Sequence, residues 1–155
     1  MNGSNALLSR QGQRLLQLGV VFILYSSLDG LAIAFLGSPR IGLSVHTLSA
    51  LQGVFLLAAR LLWPRLKLKT AGSRIAFWLF IYGAASILAA YTLAAIWGVG
   101  IETIALMGEL PHGLSHGTAL QATVTKVLAY SSGPPGFISF GLILWGLRIT
   151  DDMPI

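Results

Sequence analysis

Four long apolar segments alternate with short polar ones along the chain, at about residues 15–36, 43–63, 75–98 and 124–147. Each is long enough to cross a bilayer as an α-helix, which needs about 20 apolar residues. The third has no charged residue and carries Trp78 and Trp97 near its ends, as is typical of rings at membrane interfaces. The pattern predicts an all-α integral membrane four-helix bundle, with residues 1–155 forming one transmembrane domain.

The fourth segment contains the run SSGPPG at residues 131–136. Proline has no backbone N–H and clashes with the preceding helical turn. We therefore expect this helix to kink or break at Pro134 and Pro135. A break at membrane depth requires protein or water to satisfy the freed backbone groups.

Composition excludes a water-soluble fold. Of 155 residues, 55% are hydrophobic and 10% are charged, whereas soluble domains carry about a quarter charged residues. Mean hydropathy is +0.77. The chain contains no cysteine, which excludes disulfides, thiolate metal sites and cysteine nucleophiles.

The basic residues indicate how the chain is oriented. Arg10 and Arg14 precede the first segment, four basic residues join the second to the third, and Arg148 follows the fourth. The joining group is Arg65, Lys67, Lys69 and Arg74. Since lysine and arginine favour cytoplasmic loops, both termini are predicted to be cytoplasmic in a multi-pass protein of the cell inner (plasma) membrane. A nucleic-acid partner is not expected, because the basic residues form no solvated face with interleaved aromatic rings.

The third connection carries no basic residue but contains Glu102, Glu109, His112 and His116. The two histidines, four residues apart, would suit a surface metal if this connection were helical. A solvated loop is the simpler interpretation of the same residues.

Polar residues within the apolar segments are costly in hydrocarbon and mark candidate sites. They are Asp29, His46, Gln52, Tyr91, Lys126 and Tyr130. Counting helical rise from the outer end of each segment gives a depth below the non-cytoplasmic interface of roughly 5 Å for His46. The same count gives roughly 9 to 14 Å for Asp29, Gln52, Tyr91 and Tyr130. This predicts a site in the outer half of the bundle, built from all four helices. Arg60 lies near the cytoplasmic end and is expected to extend its charge to the interface.

Each candidate also has a purely structural interpretation. Asp29 and Lys126 are placed to neutralise each other as an interhelical ion pair. Gln52 is suited to tying two helices together by a hydrogen bond, and Tyr91 and Tyr130 to packing.

His46, Ser49 and Gly53 share one helix face. Small residues below a histidine leave room for a planar group such as haem, with His46 as axial ligand. They equally suit close contact with another helix.

Several segments resemble the hydroxylaminobenzene mutase family. They are SPRIGLSVH at 38–46, QGVFL at 52–56, LWPRL at 62–66, FW at 77–78 with YG at 82–83, AAIWG at 94–98, GTALQ at 117–121 and LWGLR at 144–148. The histidine followed six residues later by an amide and then glycine is also similar, more distantly, to styrene oxide isomerase.

The resemblance implies a redox-neutral isomerase of a small aromatic substrate. The mutases convert an arylhydroxylamine to an aminophenol, and styrene oxide isomerase converts an aryl epoxide to an aldehyde. The latter holds ferric haem b on a second-span histidine, between protomers of a trimer, and His46 matches that ligand. The resemblance thus implies haem b on His46, a homo-oligomer, and Gln52 and Tyr91 near the reacting oxygen. Asp29 is expected to act as an accessory group.

Two departures from the family pattern fall near these residues. Gln52 stands where both families have asparagine, and residues 84–87 read AASI instead of polar and aromatic residues. Two other functions are consistent with the sequence: a transporter using Asp29, His46 and Lys126 as a relay, or a non-catalytic subunit of a membrane complex.

Overall fold

The computed structural model describes residues 3–100, 103 and 117–148, with side chains from residue 6 onward. Four helices follow one another: α1 (Gly3–Ala32), α2 (Pro39–Leu62), α3 (Thr70–Trp97) and α4 (Ala119–Gly146). Short 3-10 turns, Ile33–Phe35 and Trp63–Arg65, follow α1 and α2. All four helices are long and apolar enough to span a membrane. The all-helical, multi-pass prediction is confirmed for the described part of the chain.

All four helices begin before the apolar segments predicted for them, α1 by twelve residues and the other three by four or five. The first turns of α1 are polar outside, but Leu8, Gln11 and Leu15 bury one face, so the helix starts at Gly3 rather than near residue 15. α4 begins at Ala119 because Thr118 and Gln121 form a capping box, which satisfies free N–H groups of the first turn. An apolar count does not detect either start.

α4 is continuous through Pro134 and Pro135, so the helix does not break there. A kink at the two prolines stays a prediction. Hydroxyl groups provide local hydrogen bonds just before the prolines. Ser86 Oγ of α3 donates to the Leu128 carbonyl at 2.8 Å, and Ser132 Oγ donates to the Ala129 carbonyl at 2.6 Å. The Ser86 contact joins α4 to α3 just before the prolines.

The helices form two hairpins, α1 with α2 and α3 with α4, joined chiefly by contacts between α2 and α3. At one end of the bundle, the Lys67 N–H donates to the Gly146 carbonyl at 2.7 Å. At the other, the Ser38 N–H donates to the Ala95 carbonyl at 2.8 Å. α4 packs mainly on α3, which leaves a cleft between α4 and α2.

One end of the bundle, here called the basic end, collects the starts of α1 and α3 and the ends of α2 and α4. It carries Arg10, Arg14, Arg60, Arg65, Lys67, Lys69, Arg74 and Arg148. The sequence prediction that the basic segments share one side is consistent with this arrangement.

The core of the basic end is centred on Trp63. Its ring is fully buried and meets Phe77 edge-to-face at 5.9 Å between centroids. Its Nε1–H donates to Gln11 Oε1 at 3.0 Å, and the Ser73 hydroxyl donates to the same oxygen. The amide of Gln11 thus joins α1, the turn after α2, and α3 by hydrogen bonds.

α1 and α2 cross in close contact at Gly19 and Gly53. A Cβ atom at Gly53 would lie 2.6 Å from Ile23 Cγ1 and 2.9 Å from the Gly19 carbonyl oxygen. Small residues allow such backbone approach between membrane helices. The space beside Gly53 is therefore filled by α1.

Gly53→Ala is expected to destabilise the protein by about 1–3 kcal/mol, because the added methyl overpacks this crossing. Gly141→Ala is the matched control, since a Cβ there meets nothing within 4 Å and alanine favours the helix. Thermal unfolding in detergent measures both. Equal unfolding temperatures for the two variants would contradict the close crossing.

Candidate functional site

His46 lies in the second turn of α2 and is held against α1 by Ser26. Its Nδ1 is 2.8 Å from the Ser26 carbonyl oxygen, which can only accept, so Nδ1 carries the hydrogen. Ser26 Oγ in turn donates to the His46 carbonyl at 2.7 Å. Of the two neutral tautomers, this hydrogen bond selects the one with its lone pair on Nε2.

Nε2 of His46 forms no hydrogen bond within the described part of the chain, and the side chain is partly exposed. Metal-ligating histidines commonly donate their other N–H to a carbonyl, which orients the ring. A ring fixed through Nδ1 with its Nε2 lone pair free fits an axial ligand of haem iron. His46 Nε2 is thus the atom that would bind the iron.

The face that His46 shares with Ser49 and Gly53 is occupied by protein. Ser49 is fully buried and donates its hydroxyl to the carbonyls of Val45 and His46, at 2.8 and 3.0 Å. Gly53 contacts α1, as described above. Of the two interpretations of this face, the structure supports the helix contact. A planar group bound at Nε2 does not use the space beside Gly53.

Gly30 of α1 lies against the imidazole. A Cβ atom there would be 3.0 Å from His46 Nδ1 and 3.1 Å from Cε1. Such distances are tighter than ordinary van der Waals contact, so a larger residue at position 30 would displace the ring. Gly30 and Ser26 together hold His46 in place.

Asp29 is 8% exposed, and its Oδ2 is buried without a hydrogen-bond partner. It lies within electrostatic range of His46. Lys126 is exposed on α4, and no ion pair joins it to Asp29 in the structure described. The suggested ion pair is not formed because α1 and α4 are not packing neighbours.

A separate, largely apolar cavity of about 360 Å³ lies in the cleft between α2 and α4, with α3 as its floor. Gln52 is on its wall, and Gln52 Oε1 is buried with no hydrogen-bond partner. The suggested interhelical hydrogen bond of Gln52 is therefore not formed within the described residues. The other lining residues are Leu48, Leu51, Phe55, Leu56, Phe80, Gly83, Ala84, Ile87, Ser132, Gly133, Gly136, Phe137 and Phe140.

The segment 84–87, one of the two departures from the family pattern, forms part of this cavity. Ala84 and Ile87 line it, while Ser86 is turned toward α4 and bonds the Leu128 carbonyl. Alanine and isoleucine at these two positions make this wall apolar.

Two predicted site residues lie elsewhere. Tyr91 packs against the buried cluster of Ile41, Val45, Leu88, Ala94 and Ala95 and does not line the cavity. Tyr130 is 63% exposed on the outer surface of α4. Within one protomer, Asp29 and His46 lie together at α1 and α2, whereas Gln52 faces the cavity. One protomer alone therefore does not bring these residues into a single site.

Sequence reasoning missed Ser26, Gly30 and the pair formed by Tyr25 and Thr92, whose hydroxyl oxygens are 2.9 Å apart. The spacing of Ser26 and Gly30 in the sequence could have identified them. They are four residues apart in an apolar segment and therefore share a helix face, close to Asp29. Among the described residues, no group of three His, Cys, Asp or Glu is placed to hold a metal ion. His112, His116, Glu102 and Glu109 lie outside the described residues.

Comparison with known proteins identifies the family. The family model of styrene oxide isomerase matches residues 11–148. Two mutases of Ectopseudomonas oleovorans are similar: hydroxylaminobenzene mutase HabB is 37% identical over 136 residues, covering 88% of this chain and 80% of the relative. Hydroxylaminobenzene mutase HabA is 32% identical over 129 residues, covering 83% and 93%.

No solved structure matches the chain. Members of these families are isomerases, which favours catalysis over the transporter and non-catalytic subunit alternatives. With the family match covering nearly the whole described bundle, the chain belongs to the styrene oxide isomerase family and is an isomerase.

Proposed function

We propose that this isomerase converts a small arylhydroxylamine to an aminophenol. The observation that carries the proposal is Gln52 Oε1, a buried acceptor without a partner on the wall of an apolar cavity. An arylhydroxylamine offers N–H and O–H donors to such an oxygen. An aryl epoxide offers acceptors only. The names of the two similar mutases support the same choice.

The size and lining of the cavity suit one substituted aromatic ring. A dry protein cavity of about 150 Å³ holds benzene, and this one measures about 360 Å³. Phe80, Phe137 and Phe140 supply aromatic surface, and Ala84 and Ile87 keep the α3 wall apolar. Such a lining excludes water from a developing cation.

The reaction is balanced without an outside reagent. The N–O bond breaks, a C–O bond forms at the ring, the ring carbon loses a proton and the nitrogen gains one. Gln52 binds and orients the N–OH group in this proposal. Asp29 remains an accessory residue beside His46, while the cavity gives no support for contact of Tyr91 with the reacting oxygen.

Gln52→Leu tests the role assigned to the amide. Loss of one buried hydrogen bond, worth about 1–3 kcal/mol, should lower kcat/KM for phenylhydroxylamine by about 5- to 150-fold. The unfolding temperature should stay level or rise, because the variant removes an unpartnered buried oxygen. Gln52→Asn, which keeps a displaced amide, should give intermediate activity.

Two results, one from the variant and one from the wild-type enzyme, would oppose the proposal. One is unchanged turnover of phenylhydroxylamine by Gln52→Leu. The other is faster wild-type turnover of styrene oxide than of phenylhydroxylamine, measured by product formation under matched conditions. Turnover of neither compound would place the substrate outside both classes.

We also propose that His46 holds haem b. Support comes from the Ser26 carbonyl, which takes the Nδ1 hydrogen and leaves Nε2 free. When bound, haem iron supplies a Lewis acid for polarising a substrate oxygen. Ser26 and Gly30 orient the ligand, and neither carries out a chemical step.

A homo-oligomer, a trimer by family resemblance, is part of the same proposal. Within one protomer His46 is held against α1, whereas Gln52 faces α3 and α4. Assembly allows the His46 face of one copy to adjoin the cavity of another. The two groups then serve one composite site.

Protein purified from haem-sufficient cells should show a Soret band that His46→Ala abolishes. His116→Ala is the matched control and should keep the band. Native mass of the wild-type complex should correspond to three chains of 16.5 kDa. A wild-type preparation without haem, or a band that survives in His46→Ala, would overturn the ligand assignment.

The basic end is proposed to face the cytoplasm, with both termini inside and the chain in the inner (plasma) membrane. Because the sequence has no cysteine, single introduced cysteines report orientation directly. In intact cells an impermeant maleimide should label Ala119→Cys and not Thr70→Cys, since these exposed residues begin α4 and α3 at opposite ends. The reverse labelling would invert the orientation.

A further inference from the structure

A second groove runs between α1 and α3 at the basic end, away from both His46 and the cavity. Its volume is about 350 Å³. From α1 it is lined by Arg14, Gln17, Leu18 and Val21, which recur at helical spacing on one face. The structure therefore offers a continuous track along α1 that the proposed reaction does not use.

The α3 side of the groove is aromatic and firmly supported. Phe77 is 2% exposed and packs against Trp63, while Trp78 is 59% exposed and meets Phe77 edge-to-face at 5.4 Å. Ile81 continues the wall one turn further from the basic end. A tryptophan ring that lines a groove and is partly exposed on the surface of the helix is typical of the membrane interface.

Polarity changes along this track. Arg14 lies at its basic-end limit, and Val21 lies about 10 Å further along the helix axis. Between them, Gln17 gives way to Leu18. A groove with a cation at the interface and apolar side chains toward the bilayer centre matches a molecule with an anionic head and a hydrocarbon tail.

The surrounding charge has a single sign. Arg10, Arg65, Lys69 and Arg74 lie at the same end, and the only acidic residue within 3–100, 103 and 117–148 is Asp29. Asp29 lies 15 positions beyond Arg14 on α1, about 22 Å along its axis. No carboxylate of the described helices opposes an anion at Arg14.

We propose that this groove binds an anionic phospholipid, with its phosphate at Arg14 and one acyl chain along Leu18, Val21 and Ile81. The site goes beyond the isomerase activity and does not depend on it. Basic residues near a membrane surface attract anionic lipid by about 1 kcal/mol each, and the apolar track adds a place for the chain. Together they bind the lipid at one position instead of attracting it to the whole basic end.

Native mass spectrometry of the detergent-solubilised protein tests the headgroup. Phosphatidylglycerol should be retained about fivefold more tightly than phosphatidylcholine of the same acyl chains, the ratio that corresponds to about 1 kcal/mol. Arg14→Gln should bring this ratio close to one. Arg65→Gln, which removes an exposed charge from the same end without touching the groove, should leave it unchanged.

A second pair of variants tests the chain position. Val21→Phe fills the groove and should weaken retention of both lipids, while Val20→Phe changes an exposed neighbour outside the lining and should not. Equal losses in Arg14→Gln and Arg65→Gln, or unaltered retention in Val21→Phe, would overturn the site. A changed number of chains per complex in Val21→Phe would make the groove a protomer interface instead, and thermal unfolding confirms that each variant is folded.

Discussion

The close crossing of α1 and α2 at Gly19 and Gly53 determines the position of His46. The two glycine carbonyls are at the contact, and the helices run in opposite directions. Ser26 lies seven residues after Gly19, and His46 lies seven residues before Gly53. Both are thus about 10 Å from the crossing toward the same end, which brings the Ser26 carbonyl to the imidazole. Separating the helices at the glycines would lengthen this hydrogen bond.

Hydrogen bonding separates structural polar residues from the others. Gln11 and Ser26 use their polar atoms in contacts between helices. Asp29 Oδ2, Gln52 Oε1 and Thr125 Oγ1 are buried without a partner in the described structure. Since leaving such an atom unpaired costs about 1–3 kcal/mol, a bound molecule that pairs with it recovers free energy. Gln52 differs from Thr125 in lining a cavity.

The sequence was sufficient to predict the four helices, their order and the grouping of basic residues, because membrane spans have a strong apolar signal. It also identified His46, Asp29 and Gln52 as buried or partly buried polar residues. Depth along the bilayer normal follows from helical rise, but the direction of each side chain around its axis depends on which helices pack. That is why Tyr91 and Tyr130 were assigned to the site and Ser26 was missed. The polar start of α1 was missed because one buried face there includes Gln11.

The limited packing of α4 affects how substrate concentration is to be understood. Because α4 contacts mainly α3, the cavity is bordered by Leu51, Phe55, Phe137 and Phe140, all at least half exposed on the outside of the bundle. Those that the proposed assembly leaves uncovered face hydrocarbon in a bilayer. An apolar aromatic molecule reaching the cavity by this route is drawn from the lipid phase, so its effective concentration depends on its partition coefficient and on lipid volume. Michaelis constants for such an enzyme have physical meaning as mole fractions in the membrane, and values expressed per litre of water would change with the amount of lipid in the assay.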